Sequence, residues 1–174
     1  MFLQAPHIAR YTAAVITAGL ALLGLHTRAW AQEPTIPDVI VTAVDRDGEE
    51  QVSFYTDLVK GKKVVISVMY TDCTTTCSTF ARVLEKEMKR VGGKFGRDVF
   101  FVTISIDPLA DNPERLRAWG ELFGARKGWT FVTASEAQLQ DLQSVLRWLR
   151  FPTNRVMHSP NILVLDDARG AWRY

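Results

Sequence analysis

Cys73 and Cys77, the ends of the run Cys-Thr-Thr-Thr-Cys, are the residues of this chain best suited to chemistry. A thiolate is both a soft metal ligand and the nucleophile of thiol–disulfide exchange. If the helix that follows opens by Thr74, side chains four apart share one face with β-carbons about 5–6 Å apart. That is near enough to share a metal ion or, with modest adjustment, to join as a disulfide. A helix start also lowers thiol pKa values, because unpaired amides and a partial positive charge sit beside the developing thiolate.

A third ligand is offered by His158, in the loop just before the apolar run Ile162 to Leu165. A lone loop histidine is usually a surface residue. Two things add weight here: it is the one histidine outside the first 31 residues, and Pro160 follows where a thioredoxin-like sheet presents a proline opposite its cysteine loop. Two thiolates and an imidazole suit copper, since sulfur favours Cu(I) and imidazole also serves Cu(II). Zinc is the physical rival, but a structural zinc site usually closes with four protein ligands, and only Asp72 is at hand to complete such a set. The plainest reading of two cysteines in an exported protein is a structural disulfide.

Export is expected from the N-terminus. Arg10 precedes an apolar run from Thr12 to Leu25, and Ala29-Trp30-Ala31 follows as a small-x-small cleavage site. The run is about 14 residues, short of the roughly 20 a membrane helix needs, so residues 1–31 read as a signal peptide cleaved after Ala31. The alternative is retention as a marginal anchor through residues 12–25, so the product is periplasmic, soluble or tethered to the inner membrane. The chain carries 21 basic and 19 acidic residues. Arg10 and Arg28 leave with the signal peptide, so residues 32–174 are formally neutral and lack the basic footprint of nucleic-acid binding. The basic run Lys60-Gly61-Lys62-Lys63 reads as a solvated strand entry.

The elements that must position the cysteines follow from periodicity. After an extended leader from Pro34 to Asp38, two short strands flank the turn Asp45-Arg46-Asp47-Gly48. Val64 to Tyr70 and Val99 to Ile106 are β-branched apolar runs, expected as central strands buried on both faces. Phe80, Val83, Leu84, Met88 and Val91 recur at helical spacing until Gly92-Gly93. Asn112 and Pro113 cap a second helix running to about Phe123, and Ser135 to Gln138 opens a third that ends near Leu149. Trp129 to Val132 is a short strand, and Ile162 to Leu165 turns through Asp166 to Gly170 into a last one. Trp119, Trp129, Trp148 and Phe123 read as core or semi-buried surface, and the Ser105 to Pro113 segment as structural capping rather than catalysis. The expected fold is one α/β domain over residues 32–174, with right-handed crossovers and an antiparallel hairpin at one edge.

Three phrases together resemble the Sco/SenC family: Tyr70-Thr71-Asp72-Cys73-Thr74-Thr75-Thr76-Cys77, Ser105-Ile106-Asp107-Pro108-Leu109-Ala110-Asp111-Asn112-Pro113, and His158-Ser159. Phe54 to Lys62 and Phe123-Gly124-Ala125 are similar to it too, so the resemblance runs from about Val39 to Tyr174. It implies a thioredoxin-like copper chaperone that assists assembly of the copper centre of cytochrome c oxidase. The implied copper ligands are Cys73, Cys77 and His158, and the implied partners are the copper-bearing oxidase subunit and other copper carriers. This chain departs from the family pattern at Ser78, where proline is usual after the second cysteine, and at Met157, where aspartate usually precedes the histidine. The family continues into a closing C-terminal helix, whereas this chain stops at Tyr174, so one sheet face is expected to lack that cover.

Two functions follow. In the first the protein is a metallochaperone and not an enzyme. In the second it is a thiol–disulfide reductase with Cys73 and Cys77 as its catalytic pair. A third, plainer reading is an exported binding domain stapled by one disulfide.

Overall fold

The computed structural model describes residues 35–73, 76–149 and 161–173. The signal-peptide and anchor readings therefore lie outside the described residues, as do Thr74, Thr75, Met157, His158 and Pro160. Among the described residues, no helix is long and apolar enough to cross a membrane.

Seven strands form one mixed sheet: β1 (Ile40–Val44), β2 (Glu49–Ser53), β3 (Lys63–Met69), β4 (Val99–Ser105), β5 (Trp129–Thr133), β6 (Leu163–Asp166) and β7 (Ala171–Arg173). Their order is β2-β1-β5-β4-β3-β6-β7. The two runs expected at the centre, β3 and β4, pair in parallel from Lys63↔Val99 to Met69↔Ser105, and β5 extends the parallel block on the other side of β4. Antiparallel hairpins close both edges, β1 with β2 and β6 with β7. Helices α1 (Thr76–Val91), α2 (Pro113–Leu122), α3 (Glu136–Asp141) and α4 (Gln143–Trp148) supply the cover. A mixed sheet with flanking helices and a terminal hairpin is the thioredoxin-like arrangement expected.

Alternation along the strands divides the core in two. Val64, Ile66, Val102, Ile104 and Val132 face one side, where they meet Leu139, Leu142, Val145, Leu146 and Leu149. Phe101, Trp129, Phe131 and Met69 face the other, under Leu84 and Met88 of α1 and Leu116 and Trp119 of α2. Aromatic edges pack this second layer, with Phe101 and Trp129 centroids 5.6 Å apart and Trp119 and Phe131 5.8 Å apart. Inside it the Trp129 indole N–H donates to Thr103 Oγ1 at 2.9 Å, and Thr103 is 2.9 Å from Ser67 Oγ, so the buried hydroxyls are satisfied.

The expected caps are in place. Asn112 Oδ1 accepts from the Arg115 amide at 2.9 Å with Pro113 following, and Ser135 and Gln138 close a reciprocal capping box. Three details differ from the periodicity. The third helix divides at Leu142 (φ −80°, ψ 4°) into α3 and α4. Leu142 N–H still donates to Gln138 O and Leu146 N–H to Leu142 O, so both pieces present one apolar row to the sheet. In α1 the buried row is Cys77, Ala81, Leu84 and Met88, leaving Val83 half exposed. A wide helical turn, Phe54–Val59, follows β2 and buries both of its ends.

The bends that lead into β4 and β5 cross almost backbone to backbone. A β-carbon on Gly128 (φ +101°) would stand 2.4 Å from Gly96 Cα and 2.8 Å from Gly96 N. Gly61 has a similar conformation (φ +70°) in open space. Gly128→Ala is therefore expected to lower the unfolding free energy by about 3 kcal/mol, adding a clash to the backbone cost. Gly61→Ala should lose only about 1 kcal/mol. Urea denaturation of both variants measures this, and equal losses would contradict the close crossing.

Candidate metal centre

The cysteine segment leaves the C-terminal end of β3, the end of a parallel strand at which α/β sheets place their ligand sites. Ile106 N–H donates to Met69 O at 3.0 Å, carrying the β3–β4 ladder to its last rung. The chain then turns at once, with Cys73 N–H donating to Tyr70 O at 3.2 Å. Among the described residues the helix begins at Thr76, so Cys73 stands before α1 and Cys77 within its first turn. A helix opened by Thr74 lies outside the described residues, and the thiols converge: the Cys77 amide donates to Cys73 Sγ at 3.3 Å. An amide of the first helical turn has no carbonyl partner within the helix, and here it takes the sulfur.

Both thiols are buried, Cys73 with 4% and Cys77 with 5% of its surface exposed, among Met69, Ala81 and Leu84. Burial has a consequence opposite to the helix-start expectation. It pushes the Cys77 thiol up to about 12, reinforced by its hydrogen bond with Cys73 and, to a lesser degree, by the charges of Cys73 and Asp111, while a Tyr70 backbone hydrogen bond opposes it. The favourable helix end is outweighed because an apolar pocket disfavours the thiolate more than a half-charge favours it. In the reduced, metal-free protein Cys77 is a neutral thiol.

The residues around the pair fall into two groups. Asp72 is largely exposed and forms an ion pair with Arg115 in the first turn of α2. Among the described residues, no group of three or more His, Cys, Asp and Glu side chains is arranged to hold a metal. Ser78, in place of the proline the family pattern carries, sends its hydroxyl back to Cys73 O at 3.5 Å, a contact proline cannot make.

Asp111 is the residue the sequence left unremarked. Its carboxylate is 2% exposed and accepts from the Thr71 amide (3.2 and 3.1 Å to its two oxygens), from the Thr71 hydroxyl and from Ser105 Oγ (2.6 Å). Ser105 Oγ in turn accepts from the Asp107 amide at 3.2 Å. The Ser105 to Pro113 segment does have the structural duty expected of it, but it also carries a buried charge to within reach of Cys77. A second acid four residues beyond Asp107, just ahead of the Asn-Pro cap, was the signal available.

A model of the SCO1/SenC family matches residues 42–173. No curated protein matches the chain. Among solved structures, a proposed electron transport protein of Aquifex aeolicus VF5 is 30% identical, with TM-score 0.59 over 76% of this chain and 80% of that one. A SCO1/SenC family lipoprotein of Bacillus anthracis is 26% identical, with TM-score 0.55 over 79% of this chain and 83% of that one. Bradyrhizobium japonicum ScoI with copper bound is 19% identical and shares the fold, with TM-score 0.60 over 80% of this chain and 88% of that one. The family match covers the sheet, both capped helices and the cysteine turn together, and this chain belongs to the SCO1/SenC family.

Proposed function

We propose that this protein carries one copper ion on Cys73, Cys77 and His158 and assists assembly of the copper centre of cytochrome c oxidase. The observation that carries the reading is the buried thiol pair at the end of a parallel strand, with the amide of one cysteine on the sulfur of the other. Two sulfurs in an apolar pocket are a soft donor set, and metal ligation compensates the burial of thiolates that water would otherwise have to solvate. Solved structures of Bradyrhizobium japonicum ScoI and yeast Sco1, each with copper bound, share the fold, and BsSco is described as a member of the Sco family of cytochrome c oxidase assembly proteins with a disulfide switch. Copper is cargo here, delivered to the oxidase subunit that bears it or exchanged with other copper carriers.

The chain acts in the periplasm on this reading. Residues 1–31 are the export signal, residues 12–25 the tether if it is retained, and residues 32–174 the working domain. The Bacillus anthracis relative is a lipoprotein, which supports work at a membrane surface. The alternative, a thiol–disulfide reductase acting on a partner's cysteines, uses the same pair with Cys73 and Cys77 in catalytic roles. A disulfide between them would withdraw both sulfurs from copper, so the two activities exclude each other at any instant.

Two measurements separate the readings. Exchange chemistry needs both thiols but not the imidazole. His158→Ala should therefore lose stoichiometric copper, read as metal content and thiolate-to-Cu(II) absorption after copper addition, while reducing a model disulfide at the unaltered rate. Tight copper retained in that variant would remove His158 from the ligand set.

The second concerns pH. With the Cys77 thiol raised to about 12, its thiolate fraction at pH 8 is far below that of an unperturbed cysteine near 8.5. Alkylation of Cys77 in reduced, copper-free protein should be slow at pH 8 and still be rising above pH 10. Mass spectrometry of modified peptides reads this site by site, and a plateau near pH 9 would contradict the buried neutral thiol.

A further inference from the structure

A buried carboxylate is costly unless donors meet it on every side. Asp111 has three, and they belong to two strand ends. Ser105 is the last residue of β4, while Thr71 lies two residues beyond β3 and opens the way to Cys73. Asp111 is itself anchored through its backbone. Its amide donates to Asp107 O at 2.9 Å, and its carbonyl accepts from Thr133 Oγ1 at 2.9 Å, at the end of β5. One residue thus fastens the C-terminal ends of three adjacent parallel strands. At the end of β3 the ladder stops at Met69 and the chain turns immediately. Capping of α2 does not explain the charge, since Asn112 already performs it.

We propose that Asp111 is a positioning residue: its carboxylate holds the Tyr70–Cys73 turn and so sets where the Cys73 sulfur stands relative to Cys77. The 3.3 Å contact between the Cys77 amide and Cys73 Sγ is the geometry it preserves. A carboxylate offers about four lone-pair sites, enough for the Thr71 amide, the Thr71 hydroxyl and the Ser105 hydroxyl together. An asparagine retains one oxygen for the amide, and either hydroxyl can reverse to accept from its NH2. Alanine retains nothing, and the turn is released into a buried gap. The copper readout of this role rests on the reading of Cys73 and Cys77 as ligands, whereas its thiol readout does not.

The test compares Asp111→Ala, Asp111→Asn, Thr71→Val and Val41→Ala in the full chain. Val41 is fully buried in β1, away from the cysteine turn, and its truncation controls for general destabilisation. Copper affinity should fall about 10- to 100-fold in Asp111→Ala, the usual scale for losing a group that orients a ligand. The thiolate-to-Cu(II) band should shift in the same variant. Asp111→Asn should recover most of both, Thr71→Val should show a smaller loss in the same direction, and Val41→Ala should keep wild-type copper affinity and spectrum. If Asp111→Ala does not fold, Thr71→Val alone decides, since it removes one donor at nearly constant volume.

The same variants are read without metal through the Cys73–Cys77 dithiol–disulfide equilibrium against glutathione. The equilibrium constant should move in Asp111→Ala and Thr71→Val and stay in place in Val41→Ala. Wild-type values in Asp111→Ala for both copper and thiol readouts would overturn the proposal, as would an Asp111→Asn no better than alanine. Wild-type protein that binds no copper would instead overturn the copper reading, and the glutathione equilibrium would then still decide on Asp111.

Discussion

Everything near the candidate site depends on β3 and β4 ending together. Their parallel register runs without a slip from Lys63↔Val99 to Met69↔Ser105, and the next amide, Ile106, still reaches Met69 O. The two segments that follow therefore emerge side by side from one end of the sheet. One carries Thr71 and Cys73, the other Asp107 and Asp111. Parallel strands need crossovers, and the crossover from β3 to β4 is α1, so the helix that completes the sheet also brings Cys77 back over the turn. A slip of one residue in this register would reverse every inward and outward side chain of β3 and part Thr71 from its carboxylate.

The thiols are embedded in packing rather than displayed on it. Cys77 opens the buried row of α1 that continues through Ala81, Leu84 and Met88 and seals the layer containing Trp119, Phe101 and Trp129. This ties the chemistry of the pair to the integrity of that layer. It also explains why the helix end fails to acidify Cys77: the apolar pocket that positions the sulfur also withholds solvent from the thiolate. A soft cation that replaces the proton relieves the conflict, which is the physical sense in which such a site favours a metal-bound over a metal-free state.

Local signals were readable wherever one residue's chemistry settles the outcome. The β-branched runs Val64–Tyr70 and Val99–Ile106, the Asn112-Pro113 cap, the Ser135–Gln138 box and the Asp-rich turn before β7 all stand as expected. Contacts between distant segments were not readable. The spacing of Cys73 and Cys77 announced a shared site but not that the turn at Tyr70–Cys73 is held by Asp111, forty residues away in sequence from Thr71. Nor did spacing reveal the division of the third helix at Leu142 or the exposure of Val83, both decided by how rows of side chains meet the sheet. Of the aromatic residues read as core or semi-buried surface, Trp119, Phe123 and Trp129 are buried and Trp148 is half-buried against the core.

X-ray absorption at the copper edge of the reduced protein, loaded with one equivalent of Cu(II), examines the ligand set most directly. Two sulfur scatterers and one imidazole per copper are expected, with both sulfurs lost from the spectrum when Cys73 and Cys77 are replaced by serine. Copper surrounded only by nitrogen and oxygen in the unaltered protein would contradict a centre built on these two cysteines.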